Sequence, residues 1–306
     1  MTTGFSAAAG YGQLQGGAAF PTIYDQKILR SLKIKSVADE ITNDNYSGVI
    51  SDKGDTVRII KQPIVTTQPY TRGMQLVRQD TVDEDLSLVI DQGNVYSYAL
   101  EDIEQVQSHI DWEDACADAA GYALHNAYDV NILTYIQTQV DAATTEGSGA
   151  SPKTIGYGAG NNYTPYNALN RLARLLDEQN VPEEGRWAVA SPAFWEMIAD
   201  EDSKLVEAQV TGDAESIMRA RKLATSKMLA GFTCFKSNNA PSYSASVPIL
   251  LVGHVDAVAT ASQVLKSRVL PNPNAFGQLY DGLHIFGRKA LRTKALGQMY
   301  MSLGNV

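Results

Sequence analysis

Apolar positions along the chain switch between a helical and a strand period. In residues 23–41, Ile28, Leu29, Leu32, Val37 and Ile41 recur at three- to five-residue steps, the signature of one helix face. Over Thr56–Ile60 the period becomes two, and a second strand is predicted at 86–90. Some twenty-five residues join these strands, holding Pro63, Pro69 and Gly73, with Arg72 and Arg78 near the tip. Two strands so connected read as an extended hairpin, and a loop with so few apolar residues of its own needs a partner surface.

The longest helical signal covers residues 98–140. Ile103, Val106, Ile110, Ala117, Ala120, Leu124 and Ala127 lie on one stripe, which drifts through Val130, Leu133, Ile136 and Val140. At 1.5 Å per residue such a helix is on the order of 60 Å long and serves as a backbone for the molecule. A Gly/Ser/Asn-rich break at 146–162 follows. Thr164 then caps, and Pro165 opens, a helix striped by Leu169, Leu172, Ala173 and Leu176. A turn at 181–185 leads to a buried strand, Arg186–Ala190, and Ser191-Pro192 starts the next helix. A helix over about 214–229, stopped by Gly231, precedes strands at Phe232–Lys236, 247–252, 255–259, 283–286 and Leu296–Leu303. This order describes an α+β chain in which a compact domain interrupts a more extended one.

Charge sharpens the picture. The net charge is −9, but residues 79–152 hold fifteen acids and no Lys or Arg, whereas 219–306 hold eleven bases and two acids. Glu101, Asp102 and Glu104 suit the positive end of a helix dipole, but Asp111, Glu113, Asp114 and Asp118 exceed what capping needs. The acidic and basic regions attract each other either within one molecule or between copies. A chain of 306 residues, 44 % hydrophobic and 19 % charged, is ordinary globular material long enough for two domains. No apolar run approaches the ~18 residues of a membrane span. The start lacks a signal-peptide pattern, and Cys116 and Cys234 make no disulfide framework, so a cytoplasmic product is expected. Residues 1–20, rich in Gly and Ala, form an arm that orders only against something else.

The search for chemistry returns no catalytic, cofactor or metal site. His109 and Cys116 are two helical turns apart, ~10 Å, too far for a nucleophile and its base. His109 and Glu113 share a helix face without a third metal ligand. No His-Glu-x-x-His, Gly-x-Ser-x-Gly or phosphate-loop motif occurs, and the glycines at 156–160 follow a loop rather than a strand. Asp80 to Asp85 lacks the glycine and final Glu of a calcium loop. The basic last quarter, interleaved with Phe276, Tyr280, Phe286 and Tyr300, matches no nucleic-acid module. A structural or binding role is expected, not an enzyme.

The run at 176–192, with Asn180-Val181-Pro182, Gly185-Arg186, a short buried strand and Pro192, resembles tailed-bacteriophage major capsid proteins, where it belongs to the inserted axial domain. Three more features are similar: Phe20-Pro21-Thr22-Ile23-Tyr24 leading to Gly54-Asp55-Thr56-Val57, the long helix after a hairpin, and the ending from Gly282-Leu283 to Arg288-Lys289-Ala290-Leu291-Arg292. The resemblance implies the Hong Kong 97-type capsid fold: an N-terminal arm (1–50), an extended hairpin loop (51–91), a peripheral domain with a spine helix (92–163 and 263–306) and an axial domain (164–262). It implies a protein that self-assembles into hexamers and pentamers of an icosahedral head around double-stranded DNA, in the virion after assembly in the host cytoplasm. The implied partners are further copies, a separate scaffolding protein, a portal protein, a decoration protein on some shells, and DNA held without sequence specificity. Lys61, the only lysine between Gly54 and Asp85, lies at a strand end rather than the loop tip, so the loop cross-link of some relatives is not expected. The resemblance further implies that Arg72, Gly73 and Arg78 contact a neighbouring subunit and that Glu113, Asp114 and Asp118 face the genome. The alternative with the same fold is an encapsulin-type shell of a cell, against which the long arm and loop argue.

Overall fold

Residues Asp85–Glu101 (β2) alternate in exposure along their whole length, even positions packed and odd positions open. At 3.4 Å per residue this single strand is on the order of 58 Å long. The computed structural model describes residues 37–45, 56–60, 65, 67–75, 78, 85–101, 112–157, 160–198, 228–273 and 275–304, without the side chains of 112–115 and 263–266. The expected helix start at Tyr98 is therefore corrected: residues 98–101 close a strand, and the long helix (α2) runs Trp112–Gln139. The expected segment 102–111 lies outside the described residues. Tyr96 and Tyr98, two apart on β2, stack at 6.0 Å, and Tyr98 stacks at 5.2 Å on Tyr280 of the neighbouring strand. Cross-strand aromatic packing of this kind favours the extended backbone over residues 96–101.

Two sheets organise the molecule. The first is antiparallel in the order β1 (Thr56–Ile60), β2, β11 (Gly277–Ala290) and β10 (Val258–Pro271). β1 pairs only with the start of β2, Thr56 opposite Val89, giving the expected hairpin base. β11 pairs with the rest of β2, Tyr280 opposite Tyr98. β10 and β11 run well beyond the strands predicted at 255–259 and 283–286, and Val255–Ala257 is a 3₁₀ turn.

The second sheet follows the order β3 (Thr145–Glu146), β12 (Leu296–Leu303), β9 (Val247–His254), β5 (Arg186–Ala190), β7 (Phe232–Lys236) and β6 (Met228–Leu229). β4 (Lys153–Ile155) adds to β12, and β8 (Ser242–Ser244) to β9. β12 pairs with β9, Leu296 opposite Gly253, so the expected 263–306 grouping is shared between the two sheets. The end of the helix predicted over 214–229 is corrected too: Met228–Leu229 form a strand, turned back onto Phe232 by Ala230 and Gly231 at φ 51 and 81. Two adjacent positive φ angles make the tight turn that suits a two-residue hairpin. Residues 199–227 lie outside the described set.

β5 is buried at every position because both of its faces are covered. Ala188 and Ala190 meet α3 (Pro165–Glu178) and α4 (Pro192–Ile198) in one core, with Leu169, Leu172 and Phe194. Trp187 and Val189 meet α2 in the other, with Ile132, Leu133 and Ile136. Thr164 accepts the Asn167 amide and Pro165 opens α3, as the sequence predicts. The earlier half of α2 instead lies over the first sheet, where Tyr128 meets Phe286 edge-on at 4.8 Å. This helix of on the order of 42 Å therefore ties the two sheets together. Its buried stripe differs from the expected one in part: Ala120, Leu124, Leu133 and Ile136 are buried, but Ala117, Ala127 and Val130 are exposed, and Tyr128, Asp129 and Ile132 take their place. Of the helix expected over 23–41, Ala38–Ile41 (α1) is described, and it packs on α2.

Candidate functional site

Between Ile60 and Asp85 every described residue is exposed, Tyr70 at 80 %. The chain turns at Thr71–Met74, closed by the Met74 amide donating to the Thr71 carbonyl at 3.0 Å. Gly73 takes φ +88 there, a left-handed angle that glycine adopts without strain. Arg72 and Arg78 are both exposed, and neither has an ion-pair partner among the described residues. The turn thus offers cations and an aromatic ring outward and almost no apolar surface inward.

Glu113 and Asp114 lie on the first turn of α2, and the exposed Asp118 lies one turn further on. The structure gathers these three at one end of the helix and keeps Arg72, Gly73 and Arg78 in the loop. Of the described ion pairs, Arg171–Glu146 (2.6 Å), Arg186–Asp177 (2.6 Å) and Arg268–Asp281 (3.0 Å) are the closest. None of the described pairs joins a base of 219–306 to an acid of 79–152. Arg288 instead donates to the Asn131 carbonyl and side-chain oxygen, with its guanidinium 4.6 Å over the Tyr135 ring.

Two features escape the sequence reading. Asp129, buried on α2, accepts the Val37 and Ala38 amides at 3.1 and 3.0 Å and so anchors the start of α1. Its place four residues before Leu133, on the apolar stripe, is the signal that marks it. The second is a cavity of about 500 Å³ between α1, α2 and the first sheet, lined among others by Asp39, Tyr96, His125, Tyr128 and His284. Burial raises the Asp39 carboxyl above the usual range, against the pull of His125, and pushes the Tyr128 hydroxyl up to about 12. Burial, then His125, holds His284 below the ordinary histidine value. Among the described residues no three of His, Cys, Asp or Glu are grouped to hold a metal ion.

No protein-family model and no curated protein matches the chain. Solved structures do. A structure from Mycobacterium phage Che8 superposes with a TM-score of 0.72 at 22 % identity, covering 94 % of this chain and 98 % of that one. The capsid of cyanophage P-SCSP1u gives 0.70 at 18 %, covering 94 % of each chain. The capsid of Ralstonia phage GP4 gives 0.67 at 13 %, covering 99 % of each. The fold is that of a phage capsid protein. At such low identity the capsid fold is carried by element order and packing, with few of the same residues in place.

Proposed function

We propose that the chain is the major capsid protein of a tailed bacteriophage, assembling in many copies into an icosahedral head around double-stranded DNA. The observation that carries this is the end-to-end superposition on the GP4 capsid, 99 % of each chain. In this reading residues 1–50 are the arm, 51–91 the extended loop, 92–163 and 263–306 the peripheral domain with α2 as spine, and 164–262 the axial domain. Contacts of modest strength, repeated in closed symmetry, then hold the shell. A scaffolding protein and a portal protein serve its assembly. Size-exclusion chromatography with electron microscopy of the void fraction tests this. DNA-filled shells in infected cells support it, shells loaded with protein point to an encapsulin, and a small monomer opposes both.

The exposed loop arginines fit carboxylates of an adjacent copy. Single exposed ion pairs contribute only about 0–1 kcal/mol, but every subunit repeats them. Reversing Arg72 and Arg78 to Glu is expected to lower shell yield and make assembly more sensitive to salt, with the circular dichroism of the subunit unchanged. Loss of the folded subunit would show that the arginines serve the core.

The acidic end of α2 fits a wall that packaged DNA slides past. DNA affinity grows with each phosphate that Lys or Arg neutralises, and residues 79–152 supply neither. Glu113→Lys, Asp114→Lys and Asp118→Lys together are expected to leave shell formation intact and make empty shells bind DNA fragments, with affinity falling steeply as salt rises. Shells that ignore DNA at low salt would remove this role.

A further inference from the structure

Ala117 and Gly121 on α2 put little side-chain bulk between the helix and the first sheet, and the cavity lies in the space they leave unfilled. Its walls are aromatic from three elements: Tyr96 of β2, Tyr128 of α2 and His284 of β11. Asp39 and Asp44, both exposed, add carboxylates from the N-terminal segment. No Lys or Arg is among the described lining residues. Aromatic faces beside a carboxylate suit a planar cation, since a guanidinium stacks on a ring while its N–H groups meet the carboxylate. A volume of about 500 Å³ holds one arginine side chain with a neighbouring residue to spare. An arginine there would give the Asp39 carboxylate a permanent cation, which none of the described lining residues supplies.

The same chain carries a complementary group. The turn at Thr71–Met74 presents Arg72 at its corner, with the exposed Tyr70 and Met74 beside it. We propose that the cavity of one copy receives Arg72 of a second copy, its guanidinium against Asp39 and the tyrosine faces. This inference rests on the assembly reading and names the surface that the loop meets. It also gives an occupant to the gap that the described residues leave under the middle of α2.

Two experiments on the full chain decide it. In a chain with Cys116→Ala and Cys234→Ala, Arg72→Cys and Asp39→Cys together are expected to give a ladder of covalent dimers and larger species when shells react with a bis-maleimide whose spacer spans the length of the lost arginine side chain, since the two Cα atoms lie too far apart for a direct disulfide, whereas neither cysteine alone does. In parallel, Asp39→Arg and Arg72→Asp are each expected to lower shell yield at least tenfold, and the two combined to restore at least half of it. The swap decides the matter if the double-cysteine chain does not assemble, and the ladder decides it if the swapped chains fail to fold. Cross-linker-treated shells that run as monomers, including monomers closed by an internal link, overturn the proposal. So does a double reversal no better than the worse single one. If the unaltered chain yields only small monomers, the assembly reading itself falls. If it forms shells and the cysteines do not link, only this contact falls.

Discussion

Replacing Arg186 by methionine is expected to destabilise the subunit by roughly 3 kcal/mol, because the substitution removes three hydrogen bonds donated by a buried, charged guanidinium. Arg186 opens β5 and is almost fully buried. Its Nε donates to the Pro182 carbonyl at 2.8 Å, and one terminal nitrogen donates to the Val181 carbonyl and to Asp177, each at 2.6 Å. One side chain thus closes the turn between α3 and β5 by binding two of its backbone oxygens and the end of the helix before it. Methionine fills much of the volume, so packing changes little and the loss is mainly polar. Lysine keeps the charge but not the fork, and a single ammonium cannot reach the same three acceptors in one plane. Arg186→Lys is therefore expected to recover less than half of the loss. Urea denaturation followed by tryptophan fluorescence measures both, since Trp187 and Trp195 sit in the two cores beside this turn. A methionine variant within about 0.5 kcal/mol of the parent, the usual range of surface substitutions, would show that the turn holds without the guanidinium.

This turn was also the most legible stretch of the sequence, and for the same reason. Thr164-Pro165, Val181-Pro182 and Ser191-Pro192 fix helix starts and turns by local chemistry, so α3, β5 and α4 stand where the sequence predicts them. The first sheet was harder to read. Its long strand β11 carries Gly277, Gly282 and Gly287, which look like breaks in a sequence. In the fold they are points of close approach: a side chain at Gly282 would overlap the Tyr96 ring, and at Gly277 or Gly287 it would meet the backbone of β2. Such contacts join residues nearly two hundred positions apart, and no local period reports them. The sequence places the start of the long helix at Tyr98 because Ile103, Val106 and Ile110 fit the helical period, whereas residues 98–101 close a strand in which Tyr96 and Tyr98 fit a period of two. Long-range ring stacking decided between them. Of the candidate site, the exposure of Arg72, Gly73 and Arg78 followed from a loop poor in apolar residues. The cavity did not, because it is built from five separate elements.

Asp129 supports the last prediction. Asp129→Ala is expected to cost roughly 3 kcal/mol, since it leaves two buried amides unpaired and opens space beside them. The carboxylate accepts the Val37 and Ala38 amides across ninety-two and ninety-one positions of sequence. It therefore does for α1 what a capping residue does, but from another helix. Val37, Ala38 and Ile41 complete the core that also holds Trp187 and Leu251, so loosening α1 weakens the second sheet as well. Asparagine retains one accepting oxygen but sets an amino group against the amides, and Asp129→Asn is expected to recover at most half of the loss. The consequence for assembly follows from position. In the proposed reading residues 37–45 lie in the arm shortly before the extended loop, and Asn43 bridges to Ala259 at the head of β10. A subunit without the Asp129 anchor would retain its sheets and lose the fixed path of a segment that the proposed reading assigns to contacts between copies. Denaturation should show the stability loss, and hydrogen exchange should show it concentrated at the amides of residues 37–42. Shell yield should fall more steeply than folded subunit does. If exchange at 37–42 is unchanged in Asp129→Ala, the carboxylate does not hold this segment and the anchor is refuted.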